Sequence, residues 1–92
     1  MSGTRINHFE AKPGSEEKLQ ALLQSVIATI LECPGAVSCK LLRSVEKHGS
    51  FAIIEKWDNV EAHQRAAKAI PPEKMAEAMA LFAKPPVGEY YQ

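Results

Sequence analysis

A few side chains in this 92-residue chain have both the type and the setting for chemistry. Asn7 sits inside an alternating run, residues 5–11, that reads as a strand. Strand interiors disfavour asparagine, so an amide sharing a face with Phe9 and Ala11 has a hydrogen-bonding task, toward a substrate or toward nearby backbone. Glu55 stands two residues before Trp57 in another extended run and shares its face. A carboxylate there serves as a base with a raised pKa or as an ion-paired structural group. Trp57 brings a broad flat surface and one N–H donor, suited to core packing or to a pocket wall. His63 is the only histidine on an expected helix and can exchange a proton near neutral pH; a packed or surface imidazole is the plainer reading. Met75, Met79 and Phe82 recur at helical spacing, a stripe that suits a core or an adaptable wall for a flat ligand. Tyr90 and Tyr91 alternate on a final run, so one phenol points inward, to bond a substrate oxygen or to seal an edge.

Metal and redox chemistry find less support. The three histidines, at 8, 48 and 63, are scattered and form no His-x-His or His-Glu-x-x-His pattern, so no metal site is expected. Cys33 and Cys39 lie six apart, without Cys-x-x-Cys spacing, and read as independent thiols in a reducing compartment.

The elements that must position these groups follow from periodicity. Residues 5–11 form the first strand, with Ile6, His8 and Glu10 opposite Asn7, Phe9 and Ala11. Pro13-Gly14 ends it and Ser15 caps a helix with Glu16 and Glu17 in its first turn. Leu19, Leu22, Leu23, Val26, Ile27, Ile30 and Leu31 then follow at helical intervals until Pro34-Gly35. Residues 36–44 and 51–57 form an antiparallel hairpin across a short turn. Asp58 or Asn59 caps a second helix through Val60, His63, Ala66 and Ala67, which Ile70-Pro71-Pro72 breaks. A third helix covers residues 73–83, and residues 87–91 supply a closing edge strand.

Strand, helix, strand, strand, helical region, strand is the order of a ferredoxin-like plait, an α+β fold with one antiparallel sheet and helices on one face. The whole chain, 1–92, reads as one domain. Its helices cover one sheet face only, leaving Ile6, Leu42 and Ile54 on the other. In a domain that buries only about 60–65% of its unfolded surface, an apolar open face calls for a second copy. A homodimer packed sheet to sheet, a dimeric α+β barrel, is expected.

Charge and hydropathy exclude other classes. Eleven basic and eleven acidic side chains cancel, and no two Lys or Arg residues are adjacent, so a nucleic-acid partner is not expected. No apolar stretch approaches the ~20 residues of a membrane span. The first five residues lack the apolar run of a signal peptide, so the expected address is cytoplasmic.

The order of elements then meets particular residues. Pro13-Gly14 before the long helix and Glu32-Cys33-Pro34-Gly35-Ala36 after it are two of them. Phe51-Ala52-Ile53-Ile54-Glu55-Lys56-Trp57, Glu61-Ala62 and Ala83-Lys84-Pro85-Pro86 complete the set. With these fragments in this order, from Ile6 to Tyr90, the chain resembles the antibiotic biosynthesis monooxygenase family of small dimeric α+β-barrel proteins. The resemblance implies oxygenation of a small aromatic, quinol or polyketide-like substrate by O2 without metal or flavin. On that reading Asn7 orients a substrate oxygen, Phe9 and Trp57 wall the pocket with Glu55, Met79, Phe82 and Tyr90, and His63 relays a proton. The family often places a histidine nine residues after the tryptophan, where this chain has Ala66. The haem-degrading branch pairs a strand asparagine, matched by Asn7, with a tryptophan and a histidine whose positions fall on Ala66 and near Ala76. The alternatives are a non-catalytic dimeric binding or interaction protein of the same fold and a small-molecule isomerase or decyclase.

Overall fold

Alternating side chains of opposite character draw four segments into strands, and three runs of helical period pack across them. The computed structural model describes residues 2–92, with Met1 outside the described residues. In chain order the elements are β1 (Gly3–Glu10), α1 (Glu16–Leu31), β2 (Ala36–Arg43) and β3 (Ser50–Trp57). They continue with α2 (Val60–Ala66), a 3-10 turn (Ala67–Ala69), α3 (Pro72–Leu81) and β4 (Val87–Tyr91). The strands form one antiparallel sheet in the order β2-β3-β1-β4. This is the expected ferredoxin-like α+β arrangement, with β4 pairing along β1 as the closing edge.

At the helix ends one cap differs from the sequence reading and one is decided between its two candidates. Ser15 occupies the N-cap of α1, but its side chain makes no capping bond; instead Glu16 reaches back and its Oε1 accepts from the Gly14 N–H at 3.0 Å. Asn59, not Asp58, caps α2, its Oδ1 accepting from the Ala62 N–H at 2.8 Å. The α1–β2 turn depends on Gly35, whose φ of +89° is a left-handed conformation open to glycine, with no room for a Cβ against Ala62. That contact lets the turn close onto α2.

Strand parity sorts the side chains. Asn7, Phe9, Ile53, Glu55 and Trp57 share the helix-covered face, while Ile6 pairs across to Ile54 on the other face and Leu42 to Ala52. The buried apolar side chains fall into two clusters. One gathers Leu19, Leu23, Phe51, Ile53, Ala78 and Phe82, and the other Ile30, Trp57, Ala62 and Ala66. Protein interiors are ordinarily packed to crystal-like density. Here the two clusters leave a space between them.

Candidate active site

That space is a cavity of about 250 Å³ between the sheet and the helices, lined by members of both clusters. Its floor is the helix-facing side of β1 and β3, which contribute Asn7, Phe9, Ile53, Glu55 and Trp57. Leu23, Val26 and Ile30 of α1 form one wall; His63 and Ala66 of α2 and Ala78 of α3 form another.

The polar groups on the floor are organised by sheet register. Arg5 lies directly opposite Glu55 on one side and Tyr90 on the other, and Asn7 lies opposite Ile53 and Gly88. Side chains in one row and the next row therefore meet. The Arg5 Nε donates to Asn7 Oδ1 at 2.9 Å, and the Asn7 amide donates onward to Glu55 Oε2 at 2.9 Å. The other carboxylate oxygen, Oε1, accepts from the Trp57 indole N–H at 3.0 Å. Above it stands His63, its Nε2 3.7 Å from Glu55 Oε1 and its Nδ1 bonded to the Tyr90 hydroxyl at 2.7 Å. The imidazole meets Trp57 and Tyr90 edge to face, and the Arg5 guanidinium rests 4.5 Å over the Tyr90 ring.

Gly88 makes this crossing possible. A Cβ on β4 at that position would collide with the Arg5 guanidinium and with Asn7 Oδ1. Glycine weakens a strand interior but allows close approach, and here it lets both polar side chains lie across the strand.

Burial sets the electrostatics. Glu55 is only 2% exposed, and desolvation raises its pKa above the ordinary carboxylate value. The Trp57 bond, the Arg5 charge and the Asn7 bond pull the other way. His63 is lowered below 6.5, first by burial and then by the Arg5 charge. The imidazole is therefore neutral at pH 7, and its 3.7 Å approach to Glu55 is no ion pair there. Two tautomers satisfy its bond to Tyr90. If the phenol donates to Nδ1, the proton sits on Nε2 and faces Glu55; if Nδ1 donates, Nε2 presents a lone pair. A carboxyl poised to ionise, a neutral imidazole beside it and amide, indole and guanidinium donors around them can together accept a proton and hold an anion.

Six of the eight residues singled out in the sequence line the cavity: Asn7, Phe9, Glu55, Trp57, His63 and Phe82. Tyr90 stands behind His63 and anchors it. Met79 does not reach the cavity; it is 62% exposed, and Met75, one turn earlier, lines the mouth in its place. The face that α3 turns inward is marked by Ala78 and Phe82, and Met79 falls outside it. Sequence reasoning also passed over Arg5, Lys74 and Gly88. Arg5 shares the parity of Asn7, a signal open to strand alternation, whereas nothing local marks Lys74. Cys33 and Cys39 are free thiols. Cys39 lies beside Glu55 on the sheet, and burial, then the Glu55 charge, push its thiol up to about 12. Among the described residues no group of three or more His, Cys, Asp or Glu side chains gathers as a metal site, and no helix is long and apolar enough to cross a membrane.

The chain is similar in structure to SnoaB, a cofactor-independent oxygenase from Streptomyces nogalater, with 22% identity, a TM-score of 0.84 and coverage of 99% of this chain and 91% of SnoaB. It is similar to Rv0793 from Mycobacterium tuberculosis, with 20% identity, a TM-score of 0.87 and coverage of 100% and 94%. A conserved protein from Methanosarcina mazei shares 14% identity at a TM-score of 0.88, with coverage of 100% and 92%. At such identities the likeness is one of fold. No curated protein matches the chain by sequence. The family model for antibiotic biosynthesis monooxygenases matches residues 3–78, a span that holds Arg5, Asn7, Glu55, Trp57 and His63. This chain belongs to the antibiotic biosynthesis monooxygenase family.

Proposed function

We propose that this protein is a monooxygenase that inserts one atom of O2 into a small hydroxyaromatic or quinol substrate without metal or flavin. The observation that carries the reading is Glu55, a buried carboxyl of raised pKa on the floor of an apolar cavity, within reach of His63 and bonded by Asn7 and Trp57. In this scheme the carboxylate takes the phenolic proton, and Arg5 and Asn7 stabilise the phenolate that remains. The electron-rich anion passes one electron to O2, and the radical pair recombines to form a C–O bond. Loss of a C–H proton and cleavage of the O–O bond then leave a carbonyl on the product and release water. One oxygen atom is thus retained and the other is reduced. The apolar walls exclude bulk water from the reactive pair.

His63 takes the place left by Ala66 in this scheme. Ala66 lines the cavity where the family often carries histidine, and His63, one helical turn earlier, lines the same cavity. We further propose a homodimer through the open sheet face, where Ile6, Ile54, Leu42, Val87 and Tyr91 lie on the side the helices leave bare.

Ala66 is also the observation that favours the rival reading, a binding protein that has kept the fold and lost the chemistry. Oxygen uptake by metal-free protein over a panel of hydroquinones and anthrones separates the two. Uptake well above the spontaneous rate, reduced ~10–100-fold by Asn7→Ala in a folded variant, is the expected result. Ligand binding with uptake no faster than the spontaneous rate would give the site to the binding protein.

A further inference from the structure

Two cations line the cavity without a carboxylate within 4 Å. Arg5 donates to an amide oxygen and rests on the Tyr90 ring. Lys74, in the first turn of α3, offers its ammonium to one hydroxyl, Ser25 Oγ on α1, at 3.3 Å. Among the described residues, the basic and acidic side chains that approach within 4 Å are Arg43 and His48 with Glu17, His63 with Glu55 and Lys84 with Glu10. Neither Arg5 nor Lys74 takes part, and Glu73 and Glu77, on the same helix as Lys74, lie further than 4 Å from it. Lys74 is a half-buried residue on a largely apolar cavity wall, and its charge has no counter-charge within 4 Å there.

The two cations belong to different walls of the space. Arg5 sits on the sheet beside Asn7, and its charge acts on both Glu55 and His63. Lys74 is on the helical wall with Met75 and contributes to neither titration. The cavity between them also limits size. An apolar cavity of roughly 150 Å³ holds one benzene ring, so about 250 Å³ in the same proportion holds two fused rings.

We propose that the ligand is a two-ring hydroxyaromatic acid, with its hydroxyl beside Arg5 and Asn7 and its carboxylate paired with Lys74. This names the substrate class for the oxygenase reading and rests on that reading for the fate of the hydroxyl. The Lys74 contact itself is tested by binding alone.

Titration calorimetry with 6-hydroxy-2-naphthoate and 2-naphthol is the test, run on the full chain beside oxygen uptake with hydroquinones and anthrones. The acid should bind at least tenfold more tightly than 2-naphthol. Lys74→Met should reduce that advantage to threefold or less and Lys74→Arg should keep it, with thermal melting confirming that both variants fold. Equal affinity for the two compounds, or an advantage that survives Lys74→Met, would overturn the proposal. Accelerated uptake with anthrones while neither naphthalene binds would also overturn it, leaving the oxygenase reading in place. Lys74-dependent binding of the acid with no enzymatic uptake would uphold the ligand class and remove the oxygenase.

Discussion

Along β3 the two faces of one strand have opposite characters. Phe51, Ile53, Glu55 and Trp57 are buried under the helices, while Ala52, Ile54 and Lys56 on the other side are half-buried or exposed. On the covered face a charged residue is among the most buried, held by two donors, Asn7 and Trp57, with His63 of α2 3.7 Å away. On the open face Ile54 lies between Ile6 and Lys40, with no element above it. The covered face can therefore hold a carboxyl at an unusual pKa because every polar atom on it has a partner. The open face sets Ile6, Leu42 and Ile54 among polar side chains such as His8, Lys40 and Lys56, with no buried polar network. Residues adjacent in sequence are thereby separated in environment.

Substitutions on the two faces test that separation. The largest difference is expected between Trp57 and its neighbour Lys56. Trp57→Ala should cost about 3–5 kcal/mol of stability by opening the second core cluster, and Lys56→Ala less than about 0.5 kcal/mol, both read from denaturant midpoints. Next comes Glu55→Gln, which keeps the shape but removes the base. Turnover should fall ~100-fold or more, and the acid limb of the wild-type rate profile, lying above the ordinary carboxylate pKa, should disappear with it. Its counterpart is Ile54→Asp. Sedimentation should show at least a tenfold weaker dimer, about 1.4 kcal/mol, with ligand binding in the cavity retained. A Glu55→Gln variant that dissociates, or an Ile54→Asp variant that remains dimeric, would break the division between faces.

The smallest effect is on stability against pH. Glu55 holds its proton to a higher pH when folded than when unfolded, so it contributes a loss of stability as pH rises from about 4.5 toward its raised value. His63 acts in the opposite sense: below 6.5 the unfolded chain takes up a proton before the native state does, so stability declines as pH falls. Melting curves of Glu55→Gln and His63→Phe, each compared with wild type, should lack one of these slopes and keep the other.

Much of this separation was open to reading from side-chain order. Period-two alternation placed Asn7 and Phe9 opposite Ile6 and His8, and the proline and glycine pairs marked where helices stop. Strand parity could also put Glu55 with Trp57. What parity cannot supply is register between strands. The row Cys39, Glu55, Arg5 and Tyr90 exists because β1 pairs with β3 and β4 at particular offsets, and those offsets are set by packing across the whole sheet. Helix rotation was equally hidden. The methionine stripe gave Met75 and Met79 the same standing, and only the docking of Ala78 and Phe82 separated them. Lys74 owes its place to where α3 crosses α1.

The polar row also ties together the two ends of the chain. Arg5 enters with the first strand, and Tyr90, which supports its guanidinium and anchors His63, arrives with the last. Bringing two residues so far apart in sequence together costs chain entropy, which the contacts of β4 with β1 offset. Until β4 docks, the imidazole lacks its anchor and the guanidinium its support.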